Sequence, residues 1–205
     1  MTGLIPDLSF IITPTQVRVF KAWVKHDPKY SQIIACEDKA LSDLLKLSSD
    51  ELVECIKDKR KDILSDMAEF SGFEWDKNII DIFPTFLSPS LSSPLLLRVL
   101  DSDLQKRDVN LLVGILLHEL AHNIIKRPKS LLENRKINEE ITDQLTIKVL
   151  ENNNFSSIEF KKFTFEKTFG EHPSVEQWQI PTNKLFNQTI RDYFLRKSSL
   201  RSGDQ

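Results

Sequence analysis

Val109-Asn110-Leu111-Leu112-Val113-Gly114-Ile115-Leu116-Leu117-His118-Glu119-Leu120-Ala121-His122-Asn123-Ile124-Ile125 is an apolar run that holds two histidines and a glutamate at HExxH spacing. On a helix, positions i and i+4 stack on one face, so His118 and His122 stand one turn apart. Two imidazoles held that way can chelate one Zn²⁺, and Glu119 lies where it can polarise a water at that metal. The chain has four histidines, and this pentapeptide takes two of them. The competing reading is an apolar core helix with two incidental histidines.

Downstream comes Asn138-Glu139-Glu140-Ile141-Thr142-Asp143. Glu139 and Asp143 are again four apart and share a face of the next helix. A zinc site built on two histidines needs a third protein ligand and keeps its fourth position open. A ligating histidine also needs an acceptor for its free N–H. Glu139 can meet the first need and Asp143 the second. Glu140 is the rival ligand and would move the metal face by about 100° around the helix. The alternative for all three carboxylates is a solvated acidic helix start, favoured by the helix dipole.

These two stretches resemble the gluzincin metallopeptidases, which carry HExxH on one helix and an NExxSD-like stretch on a following one. The second stretch here reads N-E-E-I-T-D, with Thr142 in place of the Ser. The resemblance covers about residues 95–152, and the sixteen residues between His122 and Glu139 are similar to the tight connection of the small, minimal members. It implies a zincin-like α+β fold, mostly helical, with a small mixed β-sheet packed on the HExxH helix. It also implies zinc as cofactor, His118, His122 and Glu139 as its ligands, and Asp143 as the orienting partner of a histidine. The implied reaction is peptide hydrolysis by a metal-activated water, with Glu119 as general base handing the proton to the leaving amine.

Members of this group use a downstream His or Tyr to steady the oxyanion. The candidates are His172, in Gly170-Glu171-His172-Pro173, and Tyr193. His172 has two other roles open to it: third ligand in place of Glu139, or occupant of the fourth zinc position in a latent enzyme. In zincin folds an edge strand precedes the metal helix and pairs with extended substrate. Leu95 to Leu100 occupies that place in the chain, which implies substrate held by strand addition. The chain lacks the G-x-M-x-N stretch of aminopeptidases of this clan and the N-A-x-x-W edge-strand motif of the thermolysin type. Endopeptidase is therefore the default. The metzincin pattern is excluded, because Ile125 and Pro128 stand where it needs Gly and His.

The bulk numbers fit a globular chain with one good core: 205 residues, 40% hydrophobic, 28% charged and a formal net charge of −2. That balance provides no basic field for nucleic acid. Only the tail is locally basic, at Arg191, Arg196, Lys197 and Arg201. Cys36 and Cys55 form no C-x-x-C pair and read as free thiols of a reducing compartment. Asp7 and Pro14 interrupt the N-terminal stretch and argue against a signal peptide. The run from Leu111 to Leu117 is far too short for a membrane span. The expectation is a cytoplasmic protein with a peptide or protein substrate and neither nucleic-acid nor membrane partners.

Three regions are expected: a helical 1–75, serving as subdomain, pro-region or partner-binding module; a zincin-like domain over 76–197; and a flexible tail, 198–205. Thr13-Pro14-Thr15-Gln16 is a capping box that starts a helix running to about His26, with Val17, Phe20, Trp23 and Val24 on its buried face. A second helix is expected over Tyr30 to Leu47. Ser48-Ser49-Asp50-Glu51 reads as a capping box opening a third, which ends near Gly72. Asn78 to Phe86 reads as a strand whose far end Pro84 demotes to an edge or a terminus. Ser88 to Pro94 reads as loop. Ser102-Asp103-Leu104-Gln105 is expected to cap the motif helix, and later helices are expected over Ser157–Phe169 and Thr182–Lys197, the last capped by Thr182. Two other functions compete with the peptidase. One is a non-hydrolytic or latent zinc-binding regulatory protein. The other is a metal-free helical domain, in which His118, His122 and Glu139 fail to converge.

Overall fold

Four strands form one mixed sheet in the computed structural model, which describes residues 4–126, 135–169 and 189–192. The strands are β1 (Asp7–Phe10), β2 (Ile79–Thr85), β3 (Leu91–Ser92) and β4 (Leu95–Arg98), in the order β1-β2-β4-β3. β1 and β4 pair parallel to β2, and β3 pairs antiparallel to β4. Along β2 the residues alternate, with Ile80 and Ile82 buried and Ile79 and Asp81 exposed, the period of a strand with one face on a core. Pro84 sits one residue from the end of β2, beyond the last β1 partner at Ile82, so its missing N–H removes no bond to β1.

Two expectations about the strands need correction. Leu95 to Leu100 yields β4, but β4 lies between β2 and β3 and is not the edge. The antiparallel edge is β3, drawn from the stretch that reads as loop. A Ser/Pro-rich sequence conceals a strand of two residues, since its pairing rests on backbone groups and not on an apolar pattern.

Helices α1 (Pro14–Val24), α2 (Ser31–Ala35), α3 (Asp38–Ile56) and α4 (Arg60–Ser71) lie between β1 and β2. Thr13 caps α1 as expected, its Oγ1 accepting from Gln16 N at 3.1 Å. The Gln16 side chain does not return to the cap; its Nε2 donates to Pro84 O at 3.1 Å and ties α1 to the end of β2. Val17, Phe20 and Val24 are buried, whereas Trp23 is 66% exposed and leaves the expected buried face.

The capping box at Ser48–Glu51 is overturned. Ser48 and Ser49 lie buried inside α3, and Ser49 Oγ donates to Leu45 O at 2.7 Å. A serine hydroxyl satisfied by the carbonyl one turn back needs no helix start. The break comes instead after Ile56, at the polar Lys57-Asp58-Lys59. α4 does end at Gly72, whose φ of +72° and N–H to Ala68 O at 2.9 Å form a left-handed C-cap.

The central element is α5 (Val109–Ile124), which packs against α3, α4, β3, β4 and the two helices that follow, α6 (Arg135–Asn152) and α7 (Ile158–Phe169). Its cap is Asp108, whose Oδ1 accepts from Asn110 N at 2.9 Å and Leu111 N at 3.1 Å. Ser102–Gln105 is not the cap but a turn, closed by Asp101 N to Gln105 O at 2.8 Å, with Leu104 at φ +67°. Every residue of α5 from Leu112 to Ala121 is buried, a helix enclosed by its neighbours.

α6 ends at an asparagine run. Nδ2 of Asn152 and of Asn153 reach Asp66 Oδ2 at 2.8 and 2.6 Å, and Asn154 takes the left-handed turn. Residues 190–192 are helical, within the helix expected over Thr182–Lys197. Thr189 Oγ1 accepts from Asp192 N at 3.1 Å and donates to Asp192 Oδ2 at 2.8 Å, and Thr182 lies outside the described residues.

One hydrophobic cluster runs from Val17 in α1 to Ile190, and β1 pairs with β2. Cys36 and Cys55 are free. Among the described residues no helix is long and apolar enough to cross a membrane.

Candidate metal centre

α5 sets the two histidines one turn apart, with ring centroids 4.7 Å apart and the rings nearly perpendicular. Their Nε2 atoms face each other at 3.1 Å. α6 packs along α5 and brings a carboxylate between them: Glu139 Oε2 lies 3.4 Å from His118 Nε2, and Oε1 lies 3.7 Å from His122 Nε2. The donor atoms of His118, His122 and Glu139 all lie within 4.8 Å of one another, and these three are a group that could hold a metal ion.

Zinc bonds of 2.0–2.1 Å meeting at tetrahedral angles put ligand atoms roughly 3.3 Å apart. The contacts of 3.1, 3.4 and 3.7 Å bracket that value. Two neutral imidazoles and one carboxylate also match zinc in kind. Glu140, the rival ligand, is exposed.

Asp143 stands one turn beyond Glu139 on α6, and its Oδ1 approaches His118 Nδ1 at 2.8 Å. This contact between carboxylate and imidazole counts for most among those that raise the His118 pKa. It turns the other nitrogen, Nε2, toward His122 and Glu139. Burial by itself pushes the His118 pKa down; contact with Asp143 and Glu139, and the charge of Glu119, outweigh burial and lift it to about 9. Without a metal, then, the site holds a proton on His118 in the physiological range.

Glu119 is 7% exposed, and it is close enough for its charge to act on His118. Thr142, where the resemblance has Ser, is fully buried and donates from Oγ1 to Asn138 O at 2.8 Å. His172 and Tyr193 lie outside the described residues, so their oxyanion and ligand roles are not placed.

Two neighbours of the site carry no sequence signal. Phe160 of α7 is buried with its ring centroid 6.0 Å from that of His118. Asn123 follows the second histidine and donates from Nδ2 to Ser92 O on β3 at 3.0 Å. A lone aromatic and a helix-end asparagine look like packing and capping until the fold places them.

No family model, no curated protein and no solved structure matches this chain.

Proposed function

We propose that this chain is a zinc-dependent peptidase of the minimal gluzincin type, acting on peptide or protein substrates. The carrying observation is the convergence of His118 and His122 from one helix with Glu139 from the next, backed by Asp143 at His118 Nδ1. His118, His122 and Glu139 would hold the ion. Zinc bound there supplies a Lewis acid for the scissile carbonyl and lowers the pKa of water toward about 7.

The remaining chemistry belongs to the chain. Glu119 accepts a proton from the attacking water and delivers it to the leaving amine. Asp143 keeps His118 in the tautomer that leaves Nε2 free to donate its lone pair. The outer edge of β3 offers main-chain groups to an extended peptide. His172 and Tyr193 are the candidates for steadying the oxyanion. The same donor set also suits non-haem iron(II). A glutamate directly after the first histidine favours hydrolysis, because it provides a base that an oxygenase site does not need.

Elemental analysis of protein purified without chelator or metal-affinity tag tests the ion, and a peptide-library screen tests the reaction. The expected result is about one zinc per chain, lost in His122→Ala, with cleavage that drops by about 10²–10⁴-fold in Glu119→Gln while zinc stays bound. Full activity in Glu119→Gln would remove the mechanism. Zinc without any cleavage in the wild type would leave a non-hydrolytic metal protein.

A further inference from the structure

The carboxamide of Asn123 donates from Nδ2 to two backbone oxygens, Glu119 O on its own helix and Ser92 O on β3, each at 3.0 Å. A primary amide nitrogen has two protons, and both are engaged. A helical side chain leans back over the preceding turn, which brings the Asn123 amide to the Glu119 carbonyl and so to the neighbouring strand. β3 has two register pairs with β4, Leu91 with Leu96 and Ser92 with Leu95. A ladder that short is weak by itself. Asn123 is a second tie, and it joins β3 to the turn of α5 that carries Glu119 and both histidines.

We propose that Asn123 is a positioning residue, fixing the height of β3 beside the His118, His122 and Glu139 centre. The proposal rests on the peptidase reading above. A peptide added to a strand edge takes its height from the backbone it pairs with. β3 is last in the order β1-β2-β4-β3 and packs on α5, so among the described residues it is the sheet edge beside the motif helix. If β3 shifts relative to α5, the scissile carbonyl shifts with it, and a misplacement of about 1 Å can cost about 10²-fold in rate.

The test compares full-length, zinc-loaded wild type with Asn123→Asp and Asn123→Gln. Asp replaces both donors with an acceptor facing two carbonyl oxygens, while Gln keeps the donors on a longer arm. Zinc affinity is read by competition titration, backbone hydrogen exchange over residues 88–98 by mass spectrometry, and KM and kcat on a library peptide that the wild type cleaves. Asn123→Asp should bind zinc as the wild type does. Its exchange over 88–98 should rise by about tenfold, the effect of one hydrogen bond. KM should rise by about tenfold with kcat changing less, and Asn123→Gln should recover part of the KM.

Unchanged exchange over 88–98 overturns the tie. Faster exchange with unchanged KM overturns the positioning role and leaves a structural contact. If Asn123→Asp does not fold, Asn123→Ala takes the same three measurements. Failure of the peptidase reading is seen separately: a zinc-loaded wild type that cleaves no peptide removes the reaction, and the positioning role with it.

Discussion

Asp143 Oδ1 lies 2.8 Å from His118 Nδ1, at the opposite end of the imidazole from the Nε2 that meets His122 and Glu139. One ring thus links a carboxylate at its back to the candidate metal position at its front. The carboxylate fixes the ring orientation and raises the basicity of the front nitrogen. Asp143→Ala should therefore weaken zinc binding by about 10–100-fold with little change in fold, as read by competition titration and circular dichroism. An affinity equal to wild type would show that Asp143 does not tune the His118 ring for the metal.

The same contacts set a pH dependence with two opposite signs. His118 has a pKa of about 9 in the metal-free fold, against an ordinary value of 6.5. Because the folded value is the higher one, protonated His118 contributes stability that is fully present below about pH 6.5 and is lost as pH rises through about 9. The metal-free protein should lose melting temperature over that window. Zinc has to displace the proton, so its affinity should rise by about tenfold per pH unit up to about pH 9. Thermal scans with and without zinc at several pH values check both trends. Parallel trends in the two forms would contradict the proton–metal exchange.

The two adjacent glutamates should separate sharply. Glu139 faces both imidazoles, whereas Glu140 is exposed. Glu139→Ala removes one of three protein donors and should lower zinc affinity by at least about 10²-fold, beyond the range of an outer-shell change. Glu140→Ala should leave it within about threefold, as a screened surface charge would. The reverse order in a zinc titration would move the ligand assignment and turn α6 about its axis.

The metal-capable group was legible in the sequence because its residues obey a local rule: four apart on a helix means one face. His118 with His122, and Glu139 with Asp143, needed no knowledge of the fold; their convergence needed only α6 to pack along α5. What was illegible depends on distant partners. Ser48 and Ser49 read as a cap, yet they are buried in α3, with the Ser49 hydroxyl on Leu45 O. Trp23 has the spacing of the buried face, yet among the described residues it stays 66% exposed. β1 and β3 are too short to show a period, and each exists through the strand it pairs with. Asn123 gains meaning only when Ser92 arrives beside it.

Gly114 stands one turn before His118, and α7 crosses α5 there. A Cβ built on Gly114 would lie 2.7 Å from Phe160 Cβ and 2.8 Å from Phe160 Cγ. The nearest atom is at the root of the side chain, so a rotamer change of Phe160 cannot clear it, and α7 itself must move. Phe160 is fully buried and packs on the His118 ring, which couples this helix spacing to the site. Alanine in a helix is worth about 1 kcal/mol over glycine. Overpacking a close helix contact costs about 1–3 kcal/mol, and a backbone shift belongs at the upper end of that range. Gly114→Ala should therefore lower the melting temperature despite its better helix propensity, and it should weaken zinc binding as His118 loses its wall. A variant more stable than wild type would show that α7 is free to withdraw from α5, and that Phe160 does not hold the His118 ring in place.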